Sequence, residues 1–140
     1  MKIFISYKQT WVDDTQLTES LWKLREILKN LWHESFIYYF DSDFSEKNHK
    51  EIINISREEI KKSDIVLAFV NHEKKSEWML LELWIAFWMN KKVMVLMNTQ
   101  MQDEYYLSYW VSNNTLLFDD FSEISQILHN QLPNLEEWKK

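Results

Sequence analysis

The stretch Ser63–Met97 decides the fold, and it reads SDIVLAFVNHEKKSEWMLLELWIAFWMNKKVMVLM. Its first part, Asp64–Val70, is nearly all apolar, which is typical of a central parallel strand buried on both faces. An apolar segment of helical length, Ser76–Asn90, comes next, and Lys92–Met97 is a second strand-like run. Strand, helix and strand in this order predict a βαβ unit, which builds parallel sheets.

The rest of the chain continues this alternation. We predict further strands at Lys2–Ser6, Ser35–Phe40 and Thr115–Phe118, and further helices at about Asp14–Leu31, Glu46–Lys62 and Ser122–Leu132. Five strands alternating with helices predict an α/β fold: a flavodoxin-like three-layer sandwich whose five-stranded parallel sheet has the order 2-1-3-4-5. Residues 1–132 are expected to form a single domain, and residues 133–140 a loose polar tail.

Composition excludes several classes of protein. The 140 residues carry a net charge of −6 without a basic patch, which argues against a nucleic-acid partner. Cysteine is absent, so no disulfide or thiol nucleophile exists, and the four histidines lack metal-ligand spacing. No signal peptide or membrane-spanning run is apparent. We therefore expect a soluble cytoplasmic protein with no metal, no cofactor and no membrane partner.

The chain has no glycine but eight tryptophans, at positions 11, 22, 32, 78, 84, 88, 110 and 138. Several stand where glycine is expected. Trp32 follows a predicted helix and precedes a strand, a place that usually needs a left-handed residue. One hypothesis is that the gene reads UGA as glycine and was translated with a code that reads UGA as tryptophan. The alternative is a tryptophan-rich protein that builds its turns from Asn, Asp and Ser.

Ligands of such a sheet bind beyond the carboxyl ends of the strands, where the strand order reverses. This rule selects four loops: Tyr7–Asp14, Asp41–Ser45, Asn71–Trp78 and Asn98–Gln102. Glu82 lies further along, inside the apolar third helix. A carboxylate in that setting needs a partner or a purpose if it is buried. Spacing alone is also consistent with Glu82 on the solvated side of the helix.

Three segments resemble the nucleoside 2-deoxyribosyltransferase superfamily, which includes the 2′-deoxynucleoside 5′-monophosphate N-glycosidases. They are Lys2–Asp13, Ser63–Val70 and the pattern Ser76-x-Trp78-x-x-x-Glu82-Leu-Trp84-x-Ala86. The last matches the motif Ser-x-Gly-x-x-x-Glu-Leu-Gly-x-Ala of that family once Trp is read as Gly. The resemblance extends from Met1 to about Met97.

The resemblance implies an enzyme whose substrate is a small-molecule nucleoside or nucleotide. Glu82 would attack C1′ of the sugar as a nucleophile, and water or a second base would resolve the glycosyl-enzyme. Tyr7 is a candidate for orienting Glu82 or the sugar, and Ser76 for binding a 5′-phosphate at a helix N-terminus. Glycine at positions 78 and 84 would admit the sugar and let the helix pack closely on the sheet.

Further substrate-binding candidates are Trp11, read as glycine in the loop after the first strand, and Asp41 and Asp43 after the second. The resemblance also implies a homo-oligomer, with the segment Gln102–Asn114 as a candidate interface.

One position departs from the family, which usually has an aspartate on the second helix where this chain has Ser56. An acid could instead come from Glu58, Glu59, Asp41 or Asp43, or the activity could be altered or absent.

Two alternative functions remain open. The opening Ile3–Lys8 (IFISYK) resembles TIR domains, which cleave NAD with a helical glutamate, and a non-catalytic nucleotide-binding or interaction module would also fit.

Overall fold

A computed structural model describes residues 1–7, 14–42, 47–71, 76–101 and 112–138, with the side chains of residue 14 and of residues 133–138 excepted. In this described part, strands and helices alternate along the chain. The strands are β1 (Lys2–Tyr7), β2 (Glu34–Ile37), β3 (Ile65–Val70), β4 (Lys92–Asn98) and β5 (Asn114–Phe118). The helices are α1 (Asp14–Asn30), α2 (Tyr38–Asp41), α3 (His49–Lys62), α4 (Glu77–Trp88) and α5 (Ile124–Trp138).

The five strands form one parallel sheet of order β2-β1-β3-β4-β5. This confirms the predicted fold class and strand order. In the register of the two central strands, Ile3 pairs with Ile65 and Tyr7 with Phe69. The strand order reverses beside β1 and β3, so their carboxyl ends mark the binding edge of the sheet.

The sheet has a hydrophobic core on each face. On one face, alternate strand residues such as Ile5, Leu67 and Leu96 pack under α1 and α5. On the other face, residues such as Phe4, Val66 and Val95 pack under α3 and α4. Because side chains alternate along a strand, Ser6 lies on the α3/α4 face and Tyr7 on the α1/α5 face.

Two helices end in the same hydrogen-bonding pattern. After α1, the N–H groups of Trp32 and His33 bond the carbonyls of Lys29 and Leu28 at 3.0 and 2.9 Å. Trp32 has a φ of 67° and is 92% exposed. These are the bonds of a Schellman motif, and Trp32 holds its left-handed position, as the sequence predicted.

The corresponding position after α4 is Asn90, with a φ of 56°. Its N–H bonds the carbonyl of Phe87 at 3.0 Å, and the N–H of Lys91 bonds that of Ala86 at 2.9 Å. Asparagine tolerates the left-handed region, whereas a residue of the size of tryptophan rarely adopts it.

Two sequence predictions need correction. The second strand ends at Ile37, and residues 38–40 lie in the helical turn α2, although a Tyr-Tyr-Phe run favours strands by propensity. Asp41 Oδ2 accepts the N–H of Ile37 at 2.8 Å, which stabilises this turn. The last helix extends through Trp138 rather than ending at Leu132, so part of the expected loose tail is helical.

Candidate active site

Helix α4 presents a carboxyl group to the interior. Ser76 begins the helix as its N-cap, since its hydroxyl accepts the N–H of Met79 at 3.1 Å. Four residues at helical spacing are buried against the sheet and α3: Met79, Glu82, Leu83 and Ala86. Glu82 is only 4% exposed. The alternative interpretation, that Glu82 lies on the solvated side of its helix, is therefore wrong.

Ser6 holds this carboxyl from the sheet. The Ser6 hydroxyl donates a hydrogen bond of 2.8 Å to Glu82 Oε1, and both side chains are buried. Ser6 is the last residue but one of β1, so the contact lies towards the carboxyl end of the strand, where ligands bind in this fold. No local pattern in the sequence singles out Ser6, because its partner lies 76 residues away.

Ser56, from α3, is the second hydroxyl at this carboxyl. Its side chain is completely buried, and it lies close enough to Glu82 to lower the pKa of the carboxyl. Its Oγ nevertheless has no partner within strict hydrogen-bonding geometry among the described residues. Ser56 is thus a neighbour of Glu82 without a formed hydrogen bond.

Burial dominates the electrostatics of Glu82. Removal from water raises the pKa of the carboxyl to about 7, and the hydroxyls of Ser6 and Ser56 act in the opposite direction. Near neutral pH both forms of Glu82 are therefore populated. A desolvated carboxylate of this kind can act as a nucleophile or, when protonated, as an acid.

Tyr7 makes a different contact from the one expected. Its hydroxyl accepts the N–H of Tyr39 at 2.8 Å, while the hydrogen bond to Glu82 comes from Ser6. Burial raises the pKa of the Tyr7 phenol, the Tyr39 N–H lowers it, and the charge of Glu82 adds to the rise. Direct orientation of Glu82 by Tyr7 is thus not seen, and a contact between Tyr7 and the sugar stays a prediction.

The remaining candidate residues are placed as follows. Asp41 forms an ion pair with Arg25 and accepts the N–H of Ile37, so it stabilises the β2–α2 connection. Trp78 is half-buried against the core under α3 and α4, with its ring 6.2 Å from that of His49. Trp11 and Asp43 lie outside the described residues.

Position 84 was expected to pack closely on the sheet, but Trp84 points away from it. The side chain is 42% exposed, and its ring lies 5.6 Å from that of Phe87. Its indole therefore does not crowd Glu82.

Three of the four proposed alternative acids lie in the described residues, and the structure brings none of these three to Glu82. Glu59 forms an ion pair of 3.1 Å with Lys2, at the opposite end of β1, and Glu58 is exposed. Asp41 is held by Arg25. No carboxylate of the described residues contributes to the pKa shift of Glu82. None of them therefore replaces the aspartate that the resemblance leads one to expect at the position of Ser56.

Two asparagines mark the same edge of the sheet further along. Asn98 ends β4, and its Nδ2 donates to Oδ1 of Asn71, just after β3, at 3.2 Å. Asn98 Oδ1 in turn accepts the N–H of Gln100 at 3.0 Å. Both residues lie in loops that the strand-order rule selected from the sequence. Within the described residues, no group of three or more potential ligands could hold a metal ion.

Comparison with known proteins supports this picture at the level of the fold. No protein-family model and no curated protein sequence matches the chain. Among solved structures, it is similar to the CMP N-glycosidase BcmB of Clostridium botulinum. The TM-score is 0.68 at 19% identity, over 91% of this chain and 97% of that one.

It is also similar to a 2-deoxyribosyltransferase from Bacillus psychrosaccharolyticus, with a TM-score of 0.58 at 17% identity over 89% of this chain and 90% of that one. The chain has the nucleoside 2-deoxyribosyltransferase-like fold. A protein of a different description shares the architecture to a similar degree. It is the signal receiver domain of a diguanylate cyclase from Desulfovibrio desulfuricans G20. Its TM-score is 0.55 at 11% identity, over 96% of this chain and 95% of that one. The chemistry must therefore be argued from the site.

Proposed function

We propose that this protein cleaves or exchanges the N-glycosidic bond of a nucleoside, a deoxynucleoside or its 5′-monophosphate. In the proposed mechanism, Glu82 attacks C1′ of the sugar, the bond from C1′ to the base nitrogen breaks, and the base leaves with the electron pair. Water or a second base then attacks C1′ of the glycosyl-Glu82 ester and releases the carboxylate. Hydrolysis and exchange differ only in this second step.

The observation that carries the proposal is the buried Glu82 carboxyl, hydrogen-bonded by Ser6 towards the carboxyl end of β1. A charged group in an apolar core costs stability unless it is paired or neutralised. The raised pKa of about 7 reflects that cost. Strongly perturbed carboxyls at the binding edge of an α/β sheet are typical of catalytic residues.

We infer the substrate class from the start of α4. Ser76 is the N-cap of this helix, and a helix N-terminus favours anions such as a 5′-phosphate. Its role as N-cap and a role in phosphate binding are compatible. We therefore propose a nucleoside 5′-monophosphate as the preferred substrate, with Ser76 on the phosphate and Glu82 at C1′.

The test is base release, measured by chromatography, from deoxynucleosides, nucleoside 5′-monophosphates and NAD. Both the literal sequence and a variant with glycine at all eight tryptophan positions would be used. Release from a nucleoside or its monophosphate that is lost in Glu82→Ala supports the proposal. Release from NAD alone would favour a TIR-like NAD glycohydrolase. No release by a well-folded protein that still binds nucleotides would favour a binding module.

We also propose that the protein is a homo-oligomer. Apart from its tryptophans, the outer face of α4 carries two exposed apolar side chains, Leu81 and Phe87. An apolar surface of this kind is typical of a subunit contact. Leu81→Glu and Phe87→Glu, which do not depend on the identity of the tryptophans, should each lower the mass measured by sedimentation. The matched control is Glu19→Lys on the exposed face of α1; an unchanged mass in both α4 variants would contradict the proposal.

We propose further that the natural protein has glycine at the tryptophan positions. The left-handed φ of 67° and near-complete exposure of Trp32 support this, because neither suits an indole and both suit glycine. Trp88, at 77% exposure, is a second indole with little packing. The codons decide the question: UGA at these positions agrees with the proposal, and UGG contradicts it.

No helix in the described residues has the length and apolar character that crossing a membrane requires.

A further inference from the structure

The buried stripe of helix α3 contains one residue that packing does not explain. Ile52, Ser56 and Ile60 are four residues apart and share the buried face of the helix. Ser56 is completely buried between two isoleucines. Among the described residues, its Oγ is the one buried side-chain polar atom without a hydrogen-bond partner. A buried hydroxyl without a hydrogen-bond partner destabilises the folded state, so its presence points to a use.

Ser56 meets Glu82 where α3, α4 and β1 come together. Ser6 reaches the carboxyl from the sheet, with a hydrogen bond of 2.8 Å to Oε1. Ser56 approaches it from α3, near enough to favour its ionised form. A change of the Ser56 side-chain rotamer, or a small shift of the carboxylate, would complete a second hydrogen bond.

We infer that Ser6 and Ser56 are paired positioning residues that hold the Glu82 carboxylate from two elements, and that the Ser56 hydroxyl donates the second hydrogen bond to the ionised carboxylate. Neither hydroxyl is open to solvent, so both act through Glu82 rather than on the substrate. The inference rests on the proposed function only for the role of Glu82 in turnover. Its geometric content can be tested without any substrate.

Two hydroxyls suit this task better than a carboxylate would. A hydroxyl can donate to the ionised carboxylate and accept from the protonated form, and it adds no charge. A second carboxylate at position 56 would repel that of Glu82 and raise its pKa further. Ser56 therefore gives this chain a different electrostatic environment from that of the family it resembles.

Few other titratable groups face Glu82. From β1, Tyr7 senses the charge of Glu82, but burial keeps its phenol neutral at physiological pH. From α3, Glu59 is turned towards Lys2, and on α4 itself Glu77 is exposed. Within the described residues, burial and the two serines are the influences on the pKa of Glu82.

The experiment is an NMR titration of the Glu82 side-chain carboxyl carbon, assigned by its loss in Glu82→Gln. It would be run on the full chain and on Ser6→Ala, Ser56→Ala and Ser63→Ala. Ser63 is the matched control, because its buried hydroxyl donates to the Glu59 carbonyl at 2.7 Å rather than to Glu82. Ser6→Ala and Ser56→Ala each remove a hydrogen bond to the charged carboxylate, so each should raise the pKa of Glu82 by about one unit. Ser63→Ala should leave it unchanged.

An unchanged titration in Ser56→Ala, with a shift in Ser6→Ala, would overturn the inference, because Ser56 would then only fill space. The folding equilibrium gives a second readout. If Ser56 donates to the carboxylate, Ser56→Ala loses more stability at pH 9 than at pH 5, by about tenfold in the folding equilibrium constant for each unit of pKa shift. Stabilisation at both pH values would mark Ser56 as an unpartnered hydroxyl and contradict the inference.

These readouts are separate from the proposed function. If the titration is as expected but no base is released, the proposed function is wrong and the inference about Ser6 and Ser56 stands. If base release depends on Glu82 but Ser56→Ala titrates like the parent, the proposed function stands and the inference about Ser56 is wrong.

Discussion

The α1/α5 face and the α3/α4 face of the sheet both bury aliphatic and aromatic side chains, but among the described residues only the second buries a carboxyl. On the first face, Ile5, Leu67 and Leu96 pack with α1 and α5 into an apolar core. On the second, Ser6, Ser56 and Glu82 stand among residues that are otherwise apolar. The first core is apolar, whereas the second contains a carboxyl group whose burial costs stability.

This difference follows from one strand. Ser6 and Tyr7 are neighbours in β1, and the alternation of side chains sends them to opposite faces. The Tyr7 hydroxyl accepts a hydrogen bond from the backbone of α2, whereas the Ser6 hydroxyl donates one to Glu82. Adjacent positions of β1 thus make different contacts, Tyr7 with the backbone of α2 and Ser6 with the buried carboxyl of α4.

The largest expected effect comes from placing a polar group on the apolar face. Leu67→Gln should lower the free energy of unfolding by about 4 kcal/mol, because it removes buried apolar surface and leaves an amide without partners. Leu67→Met is the control of similar size, with an expected cost below about 1.5 kcal/mol. Denaturant unfolding measures both. Equal costs would mean that the apolar face tolerates polarity, and the contrast between the faces would disappear.

The α3/α4 face should show its buried carboxyl as a pH dependence of stability. The folded pKa of Glu82 is raised to about 7, so the folded state binds the proton more tightly than the unfolded chain does. Stability is then fully present below the unfolded pKa and is lost as the pH rises to about 7. For a shift of this size, the loss is about 3 kcal/mol.

Glu82→Gln should remove that loss, while other groups titrate equally in both proteins. The check is the difference in unfolding free energy between parent and variant, measured from pH 4 to pH 9. A difference that does not vary with pH would show that Glu82 ionises normally.

The smallest expected effect concerns the C-terminal ends of α1 and α4. These helices lie on opposite faces of the sheet and both end in a Schellman motif. Trp32→Gly should raise the free energy of unfolding by about 1 kcal/mol, because glycine relieves the left-handed strain. Asn90→Gly should change it by only a few tenths of a kcal/mol, since asparagine tolerates this region. Trp32→Ala is the control, because alanine pays the same backbone cost. Thermal unfolding would compare all three, and a gain in Trp32→Ala equal to that in Trp32→Gly would assign the effect to the indole.

The sequence predicted the parts of this molecule that rest on local patterns. Apolar runs such as Asp64–Val70 identified the strands, and their alternation with helices predicted the sheet order that the structure confirms. The position of Trp32 after an amphipathic helix predicted its left-handed backbone, which the structure also confirms.

Contacts between distant residues could not be predicted in the same way. Ser6 occupies a strand position like any other, and nothing local signals a partner on α4. Glu82 could have faced either way, because α4 is apolar on nearly all sides and gives no amphipathic direction. Residues 38–40 favoured a strand by propensity, whereas the Asp41 side chain stabilises a helical turn. In each case, tertiary packing decided what the local sequence left open.

The most direct test of the central claim, that the Glu82 carboxylate breaks an N-glycosidic bond, is the pH dependence of kcat/KM for base release from a nucleoside 5′-monophosphate. The account predicts a rate that rises with pH, levels off above about 7, and on that plateau falls at least about a thousandfold in Glu82→Gln. A rate that falls as the pH rises through 7 would assign Glu82 the role of an acid. A Glu82→Gln variant as active as the parent would contradict the account outright.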